Sequence, residues 1–497
     1  MAQGTTPRTA DAGREEQPGP PQDAGPNGDG LAPSGAPLRG MSGGMAAGMG
    51  GGMAGGMAGG MAGGRQRPPL RRTFRAFQYP KYRLLWASMA TAMVGMQMQM
   101  IARGLLAFEL AGNFSAVGAL AAAWGIPQLF LALPGGAIAD RVDKRTVLLI
   151  TQAVVCLQAL GVALLISFDA ISLQVLFAFG VVLGGTFSFN MPARQAYIPE
   201  LVPRHELMNA IALNNTAMNA TRLFSPVVAG ILIAAFGFAV TYYITAGMYA
   251  VAWGAVWLLP RGRGHMQGIA ERGNMLEEIK IGLRYVRGNR ALRTLMLMAL
   301  LPILLGIPFV TILPAFAAGD LGLNPRGFGL LMAVNAVGAL AGSLLIAALN
   351  PAGRLARTQA LLGLGWGGGL VMLGVGSLTL GATGAFLAMM VIGACSMAYM
   401  ALNNGMIMTS SEQRYHGRIM SLYMLTFGFM PMMGLPLGVL GDAIGGYATF
   451  TLLGAGLLGS VLLLVLLVPS DLIDRAARAM PGEAAEAETP AGPARGA

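Results

Sequence analysis

The 497-residue chain has few charged side chains, two cysteines and three histidines. Charged residues make up 11% of the chain, compared with roughly 25% in a soluble domain. Because 55% of the residues are hydrophobic, the composition excludes an ordinary soluble protein and indicates a membrane protein. The two cysteines, Cys156 and Cys395, both lie in apolar runs, which excludes a disulfide scaffold and a multi-cysteine metal site.

The sequence also argues against several other kinds of site. The histidines lie in connectors without the spacing of paired metal ligands, so we expect no metal and no other cofactor. No G-x-x-x-x-G-K-[ST] motif is present, and direct use of ATP is therefore not expected. The formal charge is +11, but the basic residues are scattered over short connectors between apolar runs. A nucleic-acid-binding face is not expected from that distribution.

The two ends of the chain lack apolar periodicity. Residues 1–80 are a Gly/Met/Pro-rich segment with a basic flank, and residues 470–497 are rich in alanine and glutamate. Both are predicted to be cytoplasmic tails, the first of them disordered. In the first tail a methionine recurs at every fourth position, at Met41, Met45, Met49, Met53, Met57 and Met61. Thioethers bind copper(I), but the composition favours a flexible low-complexity tail.

Between the tails lie twelve apolar runs, each long enough for the ~20 residues that cross a ~30 Å hydrocarbon core. We number them as spans 1 to 12, and they are residues 84–109, 115–139, 146–168, 171–193, 207–233, 238–259, 289–316, 325–349, 357–379, 382–408, 418–441 and 446–469.

Lysine and arginine are distributed unequally between the two sets of connectors. The connectors after even-numbered spans, counted with the first few residues of the spans that follow, carry 17 of them, and those after odd-numbered spans, counted in the same way, carry one, Arg326. The positive-inside rule therefore predicts that both termini lie in the cytoplasm of a protein of the cell membrane.

The longest connector, residues 260–288, divides the spans into an N-terminal half (residues 81–259) and a C-terminal half (residues 289–469). Apolar residues at helical spacing within the connector predict an amphipathic helix on the cytoplasmic surface. Weak repetition between the halves is typical of transporters that bind substrate between them. The expected fold is an all-α membrane protein with twelve transmembrane helices in two pseudo-symmetric six-helix halves around a central cavity.

Residues 135–145, GGAIADRVDKR, join spans 2 and 3 and concentrate charge at a membrane edge. The pattern G-x-x-x-D-R-x-x-K-R resembles the signature between helices 2 and 3 of the major facilitator superfamily. The segments at residues 192–210 and 327–338 resemble the branch that includes the bacterial enterobactin exporter and macrolide efflux proteins.

The resemblance implies a gate at the cytoplasmic end of span 2. There Asp140 holds the second half in the inward-closed state by binding the N-terminus of span 11 near Arg418. Gly136 permits close helix packing, Arg145 orients the carboxylate, and Arg141 and Lys144 face phosphates or acidic groups. The alternative is a basic turn that only sets membrane orientation.

Charged side chains are rare inside the spans, so each is a functional candidate. They are Arg103 and Glu109 in span 1 and Arg222 in span 5. Asn215, Asn219 and Arg222 share one helical face, as do Gln99 and Arg103. We expect these faces to line a water-filled substrate and proton path, the alternative being hydrogen bonds between helices.

The resulting prediction is a secondary transporter, not an enzyme, that exports amphipathic drug- or siderophore-like small molecules by alternating access, driven by protons. Besides substrate and protons, its expected partners are membrane lipids. Coupling requires a titrating carboxylate, for which Glu109 and Asp140 are the candidates nearest the membrane interior. The alternatives are a facilitator or importer of a small solute, and a transport-dead sensor or assembly partner.

Overall fold

The computed structural model describes residues 74–261, 275–349, 355–412 and 430–467, with a few further positions between 415 and 423. Every regular element in these ranges is a helix. Nine helices among the described residues are long and apolar enough to cross a membrane. The all-helical membrane fold is therefore confirmed, while residues 1–73, the second tail and much of span 11 lie outside the described residues. The end of the first tail was predicted to be disordered, but Arg75–Gln78 form a short 3-10 helix because the Ala76 N–H donates to the Asn209 side chain of span 5 at 3.0 Å.

The helices follow the predicted spans. Spans 1 to 4 are Pro80–Ala111, Phe114–Arg141, Lys144–Ser167 and Leu173–Leu201. Spans 5 and 6 are one run, Leu207–Trp257, which Gly237 breaks with a φ of 77°. Span 7 comprises Arg290–Leu301, Pro302–Gly306 and Phe309–Gly319, and span 8 is Pro325–Leu349. Span 9 comprises Leu355–Val371, Met372–Gly376 and Ser377–Leu380, and spans 10 and 12 are Ala382–Thr409 and Gly446–Leu467. Span 11 is described over Gly434–Ile444, and Met275–Gly288 forms a helix in the long connector.

The starts of several spans follow from local capping. The side chain of Asp143 accepts a hydrogen bond from the Thr146 backbone N–H at 3.0 Å and so caps span 3. Asn289 caps span 7 in the same way, through the Leu292 N–H at 3.0 Å. Span 4 was predicted to stop at residue 193 but continues to Leu201. The physical reason is that Arg194 is buried against span 1 and accommodated there, so its charge does not end the helix.

The two halves use the same pairs of spans for their closest contacts. In the first half a Cβ added at Gly184 of span 4 would lie 1.9 Å from the Trp124 carbonyl oxygen of span 2. In the second half a Cβ at Gly393 of span 10 would lie 2.0 Å from the Asn335 carbonyl oxygen of span 8. Backbones that approach this closely leave room for glycine alone. The equivalent contacts support the predicted pseudo-symmetry.

Buried polar pairs repeat the same relationship. The Asn190 side chain of span 4 donates to the Thr151 hydroxyl of span 3 at 2.7 Å. The Gln359 side chain of span 9 donates to Asn403 of span 10 at 3.2 Å. Each pair joins the third and fourth spans of its half through a hydrogen bond between buried side chains.

Alanine at Gly184 is expected to destabilise the protein by about 1–3 kcal/mol, because its methyl group forces spans 2 and 4 apart. Thermal unfolding of the purified protein measures the effect. Alanine at Gly247 is the matched control, since a Cβ there meets no atom within 4 Å. Equal unfolding temperatures for the two variants would contradict the packing account.

Candidate functional site

One end of the bundle carries the loops at residues 112–113, 168–172, 320–324 and 445. We call this the outer end, after the orientation predicted from the basic residues, and the opposite end the inner end. At the outer end the carboxylate of Asp442 in span 11 accepts hydrogen bonds from the backbone N–H groups of Phe114, at 2.6 Å, and Ser115, at 3.0 Å. These are unpaired donors at the N-terminus of span 2, where the helix dipole also favours an anion. Asp442 therefore joins the two halves.

A seam of glycines surrounds this contact. A Cβ at Gly118 of span 2 would lie 2.2 Å from the Gly434 carbonyl oxygen of span 11, and one at Gly438 would lie 2.6 Å from the Phe114 carbonyl oxygen. Spans 5 and 8 meet in the same manner, since a Cβ at Gly230 would lie 2.6 Å from the Pro325 carbonyl oxygen. The halves thus close on each other toward the outer end.

Further in, span 5 presents the polar face that the sequence predicted. Asn215 is half-buried, whereas Asn219 and Arg222 are exposed. Of these three residues, Asn215 lines a cleft. A position of Asn219 and Arg222 on the same path stays a prediction. Seven residues of helix separate Asn215 from Arg222, about 10 Å along the axis.

A small cleft begins beside the inner part of this face, with about 20 Å³ of space open to a water-sized group. Spans 1, 4 and 5 line it with Met89, Met191, Arg194, Gln195, Ile198, Ile211, Asn214, Asn215 and Met218. The position of Arg194 within span 4 was not predicted, because the sequence pattern assigns this residue to the connector that follows the span. The signal that could have found it is the apolar spacing of Met191, Ile198 and Leu201, which continues the helix past the arginine.

Span 1 contributes differently from the prediction. Gln99 is 1% exposed, donates to the Gln158 side chain of span 3 and accepts from the Tyr249 hydroxyl of span 6 at 3.2 Å. Arg103 is 7% exposed, and its Nη1 makes no hydrogen bond within the described residues. Both side chains are therefore buried among helices of the first half, not open to a cavity in this conformation. Glu109 is exposed at the outer end.

The loop between spans 2 and 3 is fixed to the first half. The Lys144 ammonium lies 3.1 Å from Glu200 at the end of span 4, which provides the acidic partner that was expected for it. Arg145 donates to the Trp257 carbonyl at the end of span 6. The guanidinium of Arg418 lies 5.7 Å from the centre of the Tyr415 ring.

The remaining residues of the predicted gate are described by backbone alone. Gly136, Asp140 and Arg141 belong to the helix of span 2, and their side chains lie outside the described part of the structure. The contact between Asp140 and the start of span 11 consequently stays a prediction.

Asp320 follows span 7 at the outer end, and its Oδ2 is buried without a hydrogen bond among the described residues. Burial raises the pKa of this carboxyl, an effect that the nearby backbone N–H of Gly446 offsets in part. The folded state therefore binds the proton more tightly than the unfolded chain does. The stability that results is present at acidic pH and is lost as the pH rises through the pKa of the folded state.

Asparagine at Asp320 is accordingly expected to raise the unfolding temperature at pH 7, since it removes a partly buried charge. The gain should shrink as the pH falls toward the ordinary carboxyl value of about 4. Unfolding curves of both proteins across this pH range test it. A stabilisation that does not change with pH would show that the charge is not responsible.

Comparison with known proteins identifies the family to which the chain belongs. The model of the transmembrane secretion effector family matches residues 71–492. The chain belongs to that family. The transporter is also similar to the staphyloferrin A transporter of Staphylococcus aureus, with 23% identity over 330 residues that cover 66% of this chain and 81% of that protein. It is 25% identical over 387 residues to the multidrug efflux pump Tap of Mycobacterium tuberculosis, covering 75% of this chain and 89% of the pump.

Solved structures of the major facilitator superfamily share the transporter's fold. A D-xylose–proton symporter covers 79% of this chain and 98% of its own, with a TM-score of 0.61 at 15% identity. An inward-facing, unoccupied bacterial homologue of the human lysosomal transporter Spinster covers 80% of this chain and 96% of its own, with a TM-score of 0.57 at 14% identity. The protein is thus a multi-pass membrane transporter of small molecules, and the predicted superfamily is confirmed.

Proposed function

We propose that this transporter exports amphipathic small molecules from the cytoplasm and couples export to proton entry. The observation that carries the proposal is the pairing of a closed outer end with a polar face inside the bundle. Asp442 and the glycine seam hold the outer ends of spans 2 and 11 together. The cleft at Asn215 lies toward the inner end, and we propose that Arg222 borders the same path further along span 5. A transporter in this state receives its substrate from the inner side.

The relatives support the substrate class. One is named for a siderophore and another for multidrug efflux, and both kinds of cargo are small molecules. Methionines of the cleft, among them Met89, Met191 and Met218, suit varied apolar groups because their side chains are flexible and polarizable. We therefore propose an amphipathic cargo that places its apolar part against these thioethers.

The inner gate that we propose acts at the opposite end. When the inner side closes, Asp140 binds the N-terminus of span 11, near Arg418. Lys144 and Arg145, fixed to Glu200 and the Trp257 carbonyl, hold the loop that presents the aspartate. Asp442 on span 11 and Asp140 on span 2 thus bind helix N-termini of opposite halves in alternate states.

Proton coupling is proposed to use these carboxylates. Protonation removes the negative charge that a helix N-terminus binds, and so releases a gate. Asp442 faces the outer end, where the proton enters, and Asp140 lies at the inner end, where it leaves. Glu109, exposed at the outer end, is a further group on this path.

Proteoliposomes with a pH gradient of either sign test the proposal. The reconstituted protein should move a dansylated amphiphile against its concentration gradient when protons flow the opposite way. An uncoupler should abolish accumulation and leave downhill exchange intact. Accumulation that is insensitive to the uncoupler would rule out proton coupling, and flux in the same direction as the protons would rule out antiport.

A further inference from the structure

Arg194, the arginine that lines the cleft, is deeply buried, and its hydrogen bonding is incomplete. Its side chain is 1% exposed. Nη1 makes two long hydrogen bonds, to the Leu85 carbonyl at 3.3 Å and to the Ser88 hydroxyl at 3.4 Å. Nε and Nη2 make none within the described residues. A buried charge that lacks partners destabilises a protein strongly, so such donors are retained where a ligand completes them.

The two unpaired nitrogens are the ones that suit a carboxylate. Nε and Nη2 form one edge of the planar guanidinium, and their parallel N–H groups match the two oxygens of a carboxylate in a bidentate pair. Because Nη1 donates hydrogen bonds to Leu85 and Ser88 of span 1, the fold fixes the orientation of this edge.

In the part of the chain that the structure describes, no carboxylate pairs with this edge. Among the described residues, the ion pairs near the inner end are Lys144 with Glu200 and Arg75 with Glu206, both apart from the cleft. The polar side chains that line the cleft besides Arg194 are the amides of Gln195, Asn214 and Asn215, and the rest of the lining is apolar. Two turns further along span 5, the exposed Arg222 carries a second positive charge.

We propose that the cleft binds the carboxylate of an anionic amphiphile, with Nε and Nη2 of Arg194 as a bidentate anchor. Asn215, half-buried at the edge of the cleft, donates to the same group, and Met89, Met191 and Met218 contact the apolar chain. Arg222 receives the anion as it moves along span 5. The inference rests on the proposed transport function and specifies the charge of its cargo.

Binding to the purified full-length protein in nanodiscs tests this without reference to flux. The probes are 11-(dansylamino)undecanoate and its methyl ester, which differ in charge and share the apolar chain. The wild-type protein should bind the carboxylate at least about tenfold more tightly than the ester, as expected for hydrogen bonds to a charged group. Arg194→Gln should abolish this preference and leave ester affinity unchanged. Arg204→Gln, which alters an exposed arginine at the inner end, should retain it.

Two outcomes overturn the proposal: no preference in the wild-type protein, or a preference that survives in Arg194→Gln. Should Arg194→Gln fail to fold, Arg194→Lys answers the question, because lysine keeps the charge and lacks the bidentate edge. Its preference should fall below that of the wild type, and an unchanged preference overturns the anchor. If the protein transports the ester in a proton-coupled manner but shows no preference for the carboxylate, the proposed transport function stands and the Arg194 site is rejected. The experiments therefore distinguish failure of the site from failure of the transport function.

Discussion

Asparagine at Asp442 is expected to open the outer end of the transporter. The carboxylate accepts charge-assisted hydrogen bonds from the Phe114 and Ser115 N–H groups, and it lies at the positive end of span 2. A charge at such an exposed position contributes typically about 0.3–1 kcal/mol. Since every ~1.4 kcal/mol changes an equilibrium tenfold, Asp442→Asn should shift the population away from the outward-closed state by about two- to fivefold.

The shift is measured with a cysteine at Asn219, inside the predicted cavity, in a background that lacks Cys156 and Cys395. Labelling by a membrane-impermeant maleimide from the outer side should accelerate in Asp442→Asn. Asp169→Asn is the matched control, since it removes an exposed acid from the same end, at a residue whose φ of 49° asparagine tolerates. Equal labelling rates in the wild type and Asp442→Asn would show that the contact does not hold the halves together.

Alanine at Arg222 should reduce transport by at least tenfold while the protein still folds. An arginine within a membrane span is unfavourable by about 2.5–3.5 kcal/mol on insertion scales, so it persists where a cavity or a ligand stabilises the charge. Arg222 is exposed in the structure, as a side chain that faces a cavity would be. Its loss removes a charge from the path and should leave the packing of span 5 unchanged.

Initial transport rates in proteoliposomes, normalised to the amount of folded protein, measure this effect. Arg222→Lys should recover part of the rate because it keeps the positive charge. Arg326→Ala, at an exposed arginine at the start of span 8, controls for a general loss of charge. A normal rate in Arg222→Ala would mean that the residue faces the cavity without a role in transport.

Much of the architecture follows from composition and periodicity. Long apolar runs define the spans. Gly237 marks the break between spans 5 and 6, because glycine adopts a φ of 77° without steric strain. The spacing of Asn215, Asn219 and Arg222 predicts that they share one face of span 5, and the structure places Asn215 at a cleft. These are local features, which one helix suffices to determine.

Contacts between distant helices could not be predicted in the same way. Gln99 has the same amide whether it faces water or donates to Gln158, and only the position of span 3 decides between the two. The hydrogen bonds from Phe114 and Ser115 to Asp442 join residues more than 320 positions apart. Arg194 was assigned to a connector because its charge follows an apolar run, whereas its burial depends on span 1.

Cross-linking the outer ends of spans 2 and 11 tests alternating access most directly. Cysteines at Asn113 and Ala443, exposed positions on either side of the Asp442 contact, are joined by a short cleavable bis-maleimide in proteoliposomes. The account predicts that linked protein stops transporting, that it still binds the dansylated probe from the inner side, and that cleavage of the linker restores the rate. Transport at the full rate by the linked protein would contradict it.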